Sequence, residues 1–165
     1  MTDRATGRLI LAAPADSHAL GLRLAEMVRP GDAIALSGPL GAGKTSIARG
    51  LLAGLGLEAE APSPTFAIVQ PYEPPEVRVP VLHVDAYRLR SRDEAEELGL
   101  DEARGDSVLV VEWPEKLGAA ALADALWLTL EALAPEGADG GGRALTWAAP
   151  AAWDGRWPPQ TLRLT

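Results

Sequence analysis

A glycine-rich stretch early in the chain carries the residue types best suited to chemistry. Residues 36–46 read LSGPLGAGKTS, in which Gly38 is followed after four residues by Gly43, Lys44 and Thr45. Glycines let a loop curl until its N–H groups converge on an anion, and a following helix adds the positive end of its dipole. Lysine and threonine at this spacing contact phosphates and Mg²⁺ in nucleotide-binding loops. The predicted phosphate-binding loop comprises Gly38, Pro39, Leu40, Gly41, Ala42, Gly43, Lys44, Thr45 and Ser46.

Two carboxylates stand where such a loop would need them, each at the end of a short apolar run. Asp85 closes VLHVD (residues 81–85) and Glu112 closes VLVVE (residues 108–112). Ligands bind at the carboxyl ends of parallel strands, so we expect both side chains beside the loop. One would hold Mg²⁺ together with Thr45, and the other would orient or deprotonate an attacking water. We favour Glu112 for the metal and Asp85 for the γ-phosphate side, although the sequence leaves the two assignments interchangeable.

Other residues near these motifs each allow two interpretations. Thr65, in SPTF, is a candidate sensor of the γ-phosphate or part of a proline-guided turn. Trp113 is either a wall of the nucleotide pocket or a core residue. His83 lies inside an apolar run, and we expect a core histidine rather than a ligand. Because His18 is distant in sequence and cysteine is absent, no zinc site is expected.

Three arginines alternate in AYRLRSR, at Arg88, Arg90 and Arg92. They form either a surface that contacts an anion or a partner, or a solvated segment beside the acidic run DEAEE. The first interpretation would suit a small-molecule kinase, in which the three arginines act as a lid over the transferred phosphoryl group.

The elements that must position these groups follow from the periodicity of the sequence. Apolar runs predict strands over residues 8–12, 33–37, 66–72, 81–85 and 108–112, and two late runs, 125–133 and 143–149, could pair. A first helix is expected to be capped by Asp16 or Ser17 and to run to about Val28. Further helices are expected from 44 to 55 and after Ser91, which has capping-box spacing to Glu94. Strands that alternate with helices predict an α/β sheet covered on both faces.

Length and charge limit the classes of protein to which this chain can belong. The 165 residues fit a single domain spanning 1–165. The formal charge of −8 disfavours direct binding to nucleic acid, which depends on Lys and Arg at phosphates. Of 15 basic residues only two are lysine, and one of them is Lys44 in the glycine-rich loop. No apolar run approaches the 18 residues of a membrane span and no convincing signal peptide is visible, so a soluble cytoplasmic protein is expected.

The stretches GPLGAGKTS, SPTF, HVDAYRL and VEWPEKL, in this order and spacing, resemble the bacterial TsaE family, small ATPases of tRNA threonylcarbamoyladenosine synthesis. The resemblance runs from about Asp16 to Leu117. It implies a P-loop NTPase-like three-layer sandwich, with a mostly parallel central sheet and helices on both faces. It also implies binding of ATP or ADP with Mg²⁺, and hydrolysis that is weak in the isolated protein.

Individual residues match the family's motifs. The resemblance assigns the P-loop roles to Lys44 and Thr45, the motif aspartate to Asp85 and the metal-linked glutamate to Glu112. The late stretch GGGRALTW is similar to a family strand whose arginine, here Arg143, lies near the nucleotide.

The resemblance also implies partners. The TsaB–TsaD pair transfers the threonylcarbamoyl group to adenosine, and the ATP cycle would reset that complex, so tRNA would be reached only indirectly and no membrane is involved. The tail after Ala149 has no strong match, and its role stays open.

Three functions are compatible with these residues. The first is a partner-coupled ATPase, the second the small-molecule kinase with its arginine lid, and the third a nucleotide-gated binding module without useful hydrolysis. So short a chain shows no obvious lid insertion, which favours the ATPase over the kinase. A phosphorylated acceptor would identify the kinase, and insensitivity to Asp85→Ala would identify the binding module.

Overall fold

A computed structural model describes residues 4–59, 61, 68–118, 120–133 and 142–159. Its strands are β1 (Ala5–Leu11), β2 (Ala33–Ser37), β3 (Val69–Tyr72), β4 (Val81–Asp85), β5 (Val108–Glu112), β6 (Leu126–Ala132) and β7 (Arg143–Ala149). Its helices are α1 (Pro14–Ala25), α2 (Lys44–Gly54), α3 (Arg92–Glu97) and α4 (Leu100–Ala103). Thr65 lies outside the described residues, so its role stays a prediction.

The seven described strands form one sheet in the order β1-β7-β6-β2-β5-β4-β3. β2 is parallel to both β5 and β6, and β4 is parallel to β5. β7 is antiparallel to both β6 and β1, while β3 forms an antiparallel hairpin with β4. β1 is antiparallel to β7 and β7 is antiparallel to β6, so β1 runs in the same direction as the four central strands β6, β2, β5 and β4. The sheet is therefore mostly parallel, as expected.

Both faces of the sheet are covered, and β2 contributes side chains to the hydrophobic core on each face. Its side chains alternate between the faces. Ile34 and Leu36 join a core that includes Leu20 of α1 and Leu51 of α2. Ala33 and Ala35 join a second core on the opposite face, which includes Leu100 of α4 and Leu122. The predicted layer arrangement, with a sheet between helices, is confirmed.

α1 and α2 pack so closely that glycines are required between them. A Cβ atom on Gly21 would lie 2.2 Å from the carbonyl oxygen of Ile47, and one on Gly50 would lie 2.1 Å from that of His18. Real Cβ atoms do not approach a backbone oxygen so closely, so the two helix backbones contact each other directly at these points. Since α2 begins at Lys44, this contact positions the helix that follows the glycine-rich loop.

The predicted N-cap of α1, Asp16 or Ser17, was wrong by three to four residues. The N-cap is Ala13 and the helix begins at Pro14, because proline suits the first helical position. The N–H of Ala13 donates to the Asp16 carboxylate at 2.9 Å, which caps the helix from inside its first turn. At twelve residues α1 is the longest described helix, and no helix in the described ranges is long and apolar enough to cross a membrane.

Two other elements differ from the sequence prediction. β1 begins at Ala5 rather than Arg8, because it pairs with β7 along all seven residues from Ala5 to Leu11. The helix predicted after Ser91 is divided, since Gly99 has a φ of +63° and separates α3 from α4. Ser91 itself caps α3 as expected, accepting a hydrogen bond from the Glu94 N–H at 3.3 Å.

The described part of the tail beyond β7, residues 150–159, is packed into the body of the protein. Trp153 and Trp157 belong to the core that contains α1 and α2. Arg156 donates to both carboxylate oxygens of Asp32, at 2.6 and 2.9 Å, and to the carbonyl oxygen of Met27 at 3.0 Å. This segment, for which the sequence suggested no role, closes the end of the sheet away from the glycine-rich loop, because Asp32 lies just before β2.

Candidate functional site

The glycine-rich loop joins the end of β2 to the start of α2, as the motif requires. β2 ends at Ser37, Gly43 occupies the N-cap position and α2 begins at Lys44. Gly41 has a φ of +75° and Gly38 a φ of +144°, values that favour glycine. A Cβ on Gly38 would also lie 2.7 Å from the carbonyl oxygen of Leu130. The loop therefore needs glycine both for its backbone conformation and for its close contact with β6.

Lys44 is buried and directed back over the loop. Its ammonium donates to the carbonyl oxygens of Gly38 at 2.5 Å and Pro39 at 2.8 Å, and it lies 4.2 Å from the ring centre of Trp113. Burial lowers the pKa of Lys44, although the carboxylates of Glu112, Glu115 and Asp85 oppose that effect. Phosphate oxygens could replace these neutral carbonyl partners and make stronger, charge-assisted hydrogen bonds.

Glu112 joins the loop to the sheet through both of its carboxylate oxygens. Oε1 accepts a hydrogen bond from the Thr45 hydroxyl at 2.8 Å, and Oε2 lies 2.7 Å from Nε2 of His83. Burial would raise the pKa of Glu112, but the hydrogen bonds from His83 and Thr45 and the positive charge of Lys44 outweigh it and lower that pKa. Glu112 is therefore a buried carboxylate that stays charged near neutral pH.

Asp85 lies beside Glu112 at the same edge of the sheet, because the two residues pair in register across β4 and β5. Its Oδ1 accepts a hydrogen bond from the backbone N–H of Tyr87 at 3.0 Å. Glu112 contacts Thr45 directly, whereas Asp85 borders the open cavity in front of the loop. This arrangement agrees with the preference for Glu112 at the metal and Asp85 nearer the γ-phosphate, and both roles stay predictions.

A cavity of about 450 Å³ opens in front of these groups. Its described lining consists of residues 40–46, Ile68, Asp85, Tyr87, Arg88, Glu112 and Trp113. The rings of Tyr87 and Trp113 lie 5.0 Å apart, and Trp113 has a φ of +60°, which is uncommon for a bulky residue. Strained backbone of this kind is frequent at functional sites. The position of Trp113 agrees with both interpretations, since it lines this cavity and also packs against the core on the α4 side of the sheet.

The four arginines singled out in the sequence lie in different surroundings. Arg143, at the start of β7, donates to the carbonyl oxygen of Gly41 at 3.2 Å and so lies against the loop. Arg88 lines the cavity, whereas Arg92 borders a separate groove beside α4. Arg90 is exposed and lines neither space. In the described part of the chain the three alternating arginines therefore do not form a common lid.

Two site residues were missed by sequence reasoning. His83 is buried, as expected, but it contacts Glu112 rather than merely filling the core. Its position two residues before Asp85, on the same strand face, was the available signal. Glu115 accepts a hydrogen bond from the hydroxyl of Ser37, the last residue before the loop. It follows Glu112 by three residues, a spacing that did not point to this contact.

Comparison with known proteins decides the family. The family model "Threonylcarbamoyl adenosine biosynthesis protein TsaE" matches residues 11–138. The chain belongs to the TsaE family. It is 52% identical over 97 residues to TsaE of Streptomyces coelicolor, a match that spans 58% of this chain and 66% of that relative. It is 36% identical over 133 residues to TsaE of Mycobacterium leprae, spanning 76% of this chain and 83% of the relative.

A solved structure supports the same assignment. The crystal structure of YdiB from Bacillus subtilis is similar with a TM-score of 0.70 and 26% sequence identity, and the match covers 90% of this chain and 88% of YdiB. The predicted TsaE resemblance and the predicted P-loop fold class are thus confirmed. Arg143 lies beyond the residues that the TsaE family model matches, so its assignment depends on its contact with Gly41.

Proposed function

We propose that this TsaE-family chain is a Mg²⁺-dependent ATPase, slow when alone, that serves the threonylcarbamoyladenosine modification of tRNA in the cytoplasm. It acts on the TsaB–TsaD complex, which performs the transfer, and reaches tRNA only through that complex. Membership of the family supports the pathway. The net charge of −8 supports an indirect role at tRNA, because the 23 acidic residues outnumber the 15 basic residues that could contact phosphates.

The observation that carries the proposal is the hydrogen bond of 2.8 Å between the Thr45 hydroxyl and the Glu112 carboxylate, directly after a glycine-rich loop. Both groups are hard oxygen donors of the kind that Mg²⁺ prefers, and P-loop sites complete its coordination with phosphate oxygens and waters. A hydroxyl has one hydrogen and two lone pairs, so Thr45 can donate to Glu112 and still face a cation. The residues present therefore fit Mg²⁺ bound with a nucleotide.

The chain's own groups have separate tasks in this proposal. Thr45 and Glu112 would hold the Mg²⁺, which when bound would supply positive charge to offset that of the phosphates. Lys44 exchanges its carbonyl partners for phosphate oxygens, and the N–H groups of the loop complete the cradle. Asp85 orients or deprotonates the attacking water, and the rings of Tyr87 and Trp113 shield one side of the cavity. Thr65 keeps its predicted role as γ-phosphate sensor.

The described geometry adds no support to the kinase alternative, which stays a prediction. It required Arg88, Arg90 and Arg92 to close together over a transferred group, but Arg88 and Arg92 border different spaces. Product analysis still separates the two functions, because a kinase would transfer the phosphoryl group to an acceptor whereas an ATPase releases inorganic phosphate.

The decisive experiment measures phosphate release from ATP by the purified protein, alone and with the TsaB–TsaD pair. Lys44→Ala serves as the inactive blank. Lys116→Ala, at the exposed second lysine of the chain, is the matched control for loss of a positive charge. We expect slow release by the wild type and by Lys116→Ala, stimulated by the pair, and none by Lys44→Ala. Release that the pair leaves unchanged would contradict the partner-coupled function.

A further inference from the structure

His83 is a buried polar side chain whose single described hydrogen-bond partner is Glu112. It lies in the middle of β4 with 1% of its surface exposed. Its Nε2 is 2.7 Å from Glu112 Oε2, while its Nδ1 is buried without a hydrogen-bond partner in the described ranges. Since Glu112 is a carboxylate and can only accept, Nε2 carries the hydrogen and donates. A lone pair left on Nδ1 costs less than an unmatched buried N–H, which favours this tautomer.

The geometry of the sheet explains how the two side chains meet. His83 pairs in register with Val110, two residues before Glu112, so His83 and Glu112 are diagonal neighbours on one face of the β4–β5 pair. Diagonal neighbours lie within reach of long side chains. The imidazole therefore contacts Glu112 from the interior side, while Thr45 contacts the other oxygen from the loop side. Each oxygen of the Glu112 carboxylate therefore has its own hydrogen-bond partner.

These two hydrogen bonds restrict the orientation of the Glu112 carboxylate more than burial alone would. A glutamate side chain has several rotatable bonds, and Mg²⁺ requires near-ideal octahedral geometry from its oxygen ligands. Partners behind a ligand commonly contribute 10–100-fold to metal affinity because they fix its orientation. We propose that His83 is a positioning residue that holds the Glu112 carboxylate in place for the Mg²⁺ bound with nucleotide. The inference rests on the proposed function, because it assumes the same metal site.

The test compares nucleotide affinity with and without metal by titration calorimetry of the full chain with ADP. His83→Leu removes the N–H donor at similar bulk, and His83→Gln keeps an N–H donor at the end of the side chain. We expect the affinity for metal-free ADP to change less than about twofold in either variant. The gain in ADP affinity on adding Mg²⁺ should fall about 10–100-fold in His83→Leu and be largely restored in His83→Gln.

Two controls separate positioning from general destabilisation. Val81→Ala truncates a buried residue on the same face of the same strand, far from Glu112 along β4, and should lower the melting temperature without reducing the Mg²⁺-dependent gain. His18→Leu changes the chain's other histidine, which is exposed on α1, and should leave both quantities unchanged. If His83→Leu fails to fold, the comparison of His83→Gln with His83→Asn, whose shorter amide should not reach Glu112, replaces it.

The outcomes also separate this inference from the proposed function. An unchanged Mg²⁺-dependent gain in His83→Leu, with a normal gain in the wild type, would overturn the positioning role and leave the ATPase proposal standing. An equal loss in Val81→Ala would likewise overturn it, because destabilisation alone would then explain the effect. Absence of any Mg²⁺-dependent gain in the wild type would reject the metal site and the positioning role together.

Discussion

The contact between Thr45 and Glu112 can be tested with a nearly isosteric substitution. Thr45→Val keeps the branched shape and removes the hydroxyl that donates to Glu112 Oε1 at 2.8 Å. Hydrogen bonds to charged groups contribute about 1.5–3 kcal/mol, so the free energy of unfolding should fall by that amount. For a protein of this length, each kcal/mol corresponds to about 2–4 °C, and the melting temperature should therefore fall by roughly 3–12 °C.

The same substitution should remove most of the effect of Mg²⁺ on nucleotide binding. The variant lacks one of the two protein oxygens proposed to hold Mg²⁺. Since loss of a group that only orients a metal ligand already costs about 10–100-fold in affinity, the Mg²⁺-dependent gain in ADP binding should fall by at least that range. Binding of metal-free ADP should change little, because the cradle N–H groups and Lys44 are untouched. Titration calorimetry with and without Mg²⁺ measures both quantities, and thermal unfolding without nucleotide measures the stability change.

Two further variants make the result interpretable. Thr45→Ser retains a hydroxyl and should restore most of the metal effect, whereas Thr146→Val makes the same change at an exposed threonine of β7, outside the cavity lining, and should leave that effect intact. A melting temperature within one degree of the wild type for Thr45→Val would refute the strength assigned to the hydrogen bond. A lowered melting temperature together with an intact Mg²⁺ effect would show that the contact is structural and that Thr45 does not face the metal.

The remaining predictions concern the packing of α1 against α2 and the attachment of the C-terminal tail. Gly50→Ala places a methyl group 2.1 Å from the carbonyl oxygen of His18, so α1 and α2 must separate, and we expect a loss of about 1–3 kcal/mol in chemical denaturation. Unchanged or increased stability, as helix propensity alone would give, would contradict the close contact. Arg156→Ala removes the ion-pair partner of the nearly buried Asp32 carboxylate and leaves it the Arg29 N–H as a described donor. We expect a cost of about 2 kcal/mol, between exposed and buried pairs. Nucleotide affinity should not change in Arg156→Ala; a large change would mean that the tail communicates with the loop.

Much of the fold followed from local patterns. The runs that end in Asp85 and Glu112 form β4 and β5 with the predicted bounds, and AIALS forms β2 as expected. Near-continuous apolar runs are typical of strands that a parallel sheet buries on both faces, and two buried polar exceptions here, His83 and Glu112, are hydrogen-bonded to each other. The start of α1 was less predictable, since Pro14 and the Asp16 carboxylate compete with Ser17 as helix-start signals.

The sequence by itself determined the strand, loop and helix of the predicted phosphate-binding motif, because GPLGAGKT carries its glycines, lysine and threonine within eight consecutive residues and needs no distant partner to be recognised. Tertiary structure decided what surrounds that loop. β4 and β5 bring His83 to Glu112 across 29 residues of sequence, and β7 returns Arg143 to Gly41 across 102. Strand order and register set such contacts, and they depend on packing of the whole sheet rather than on any local pattern.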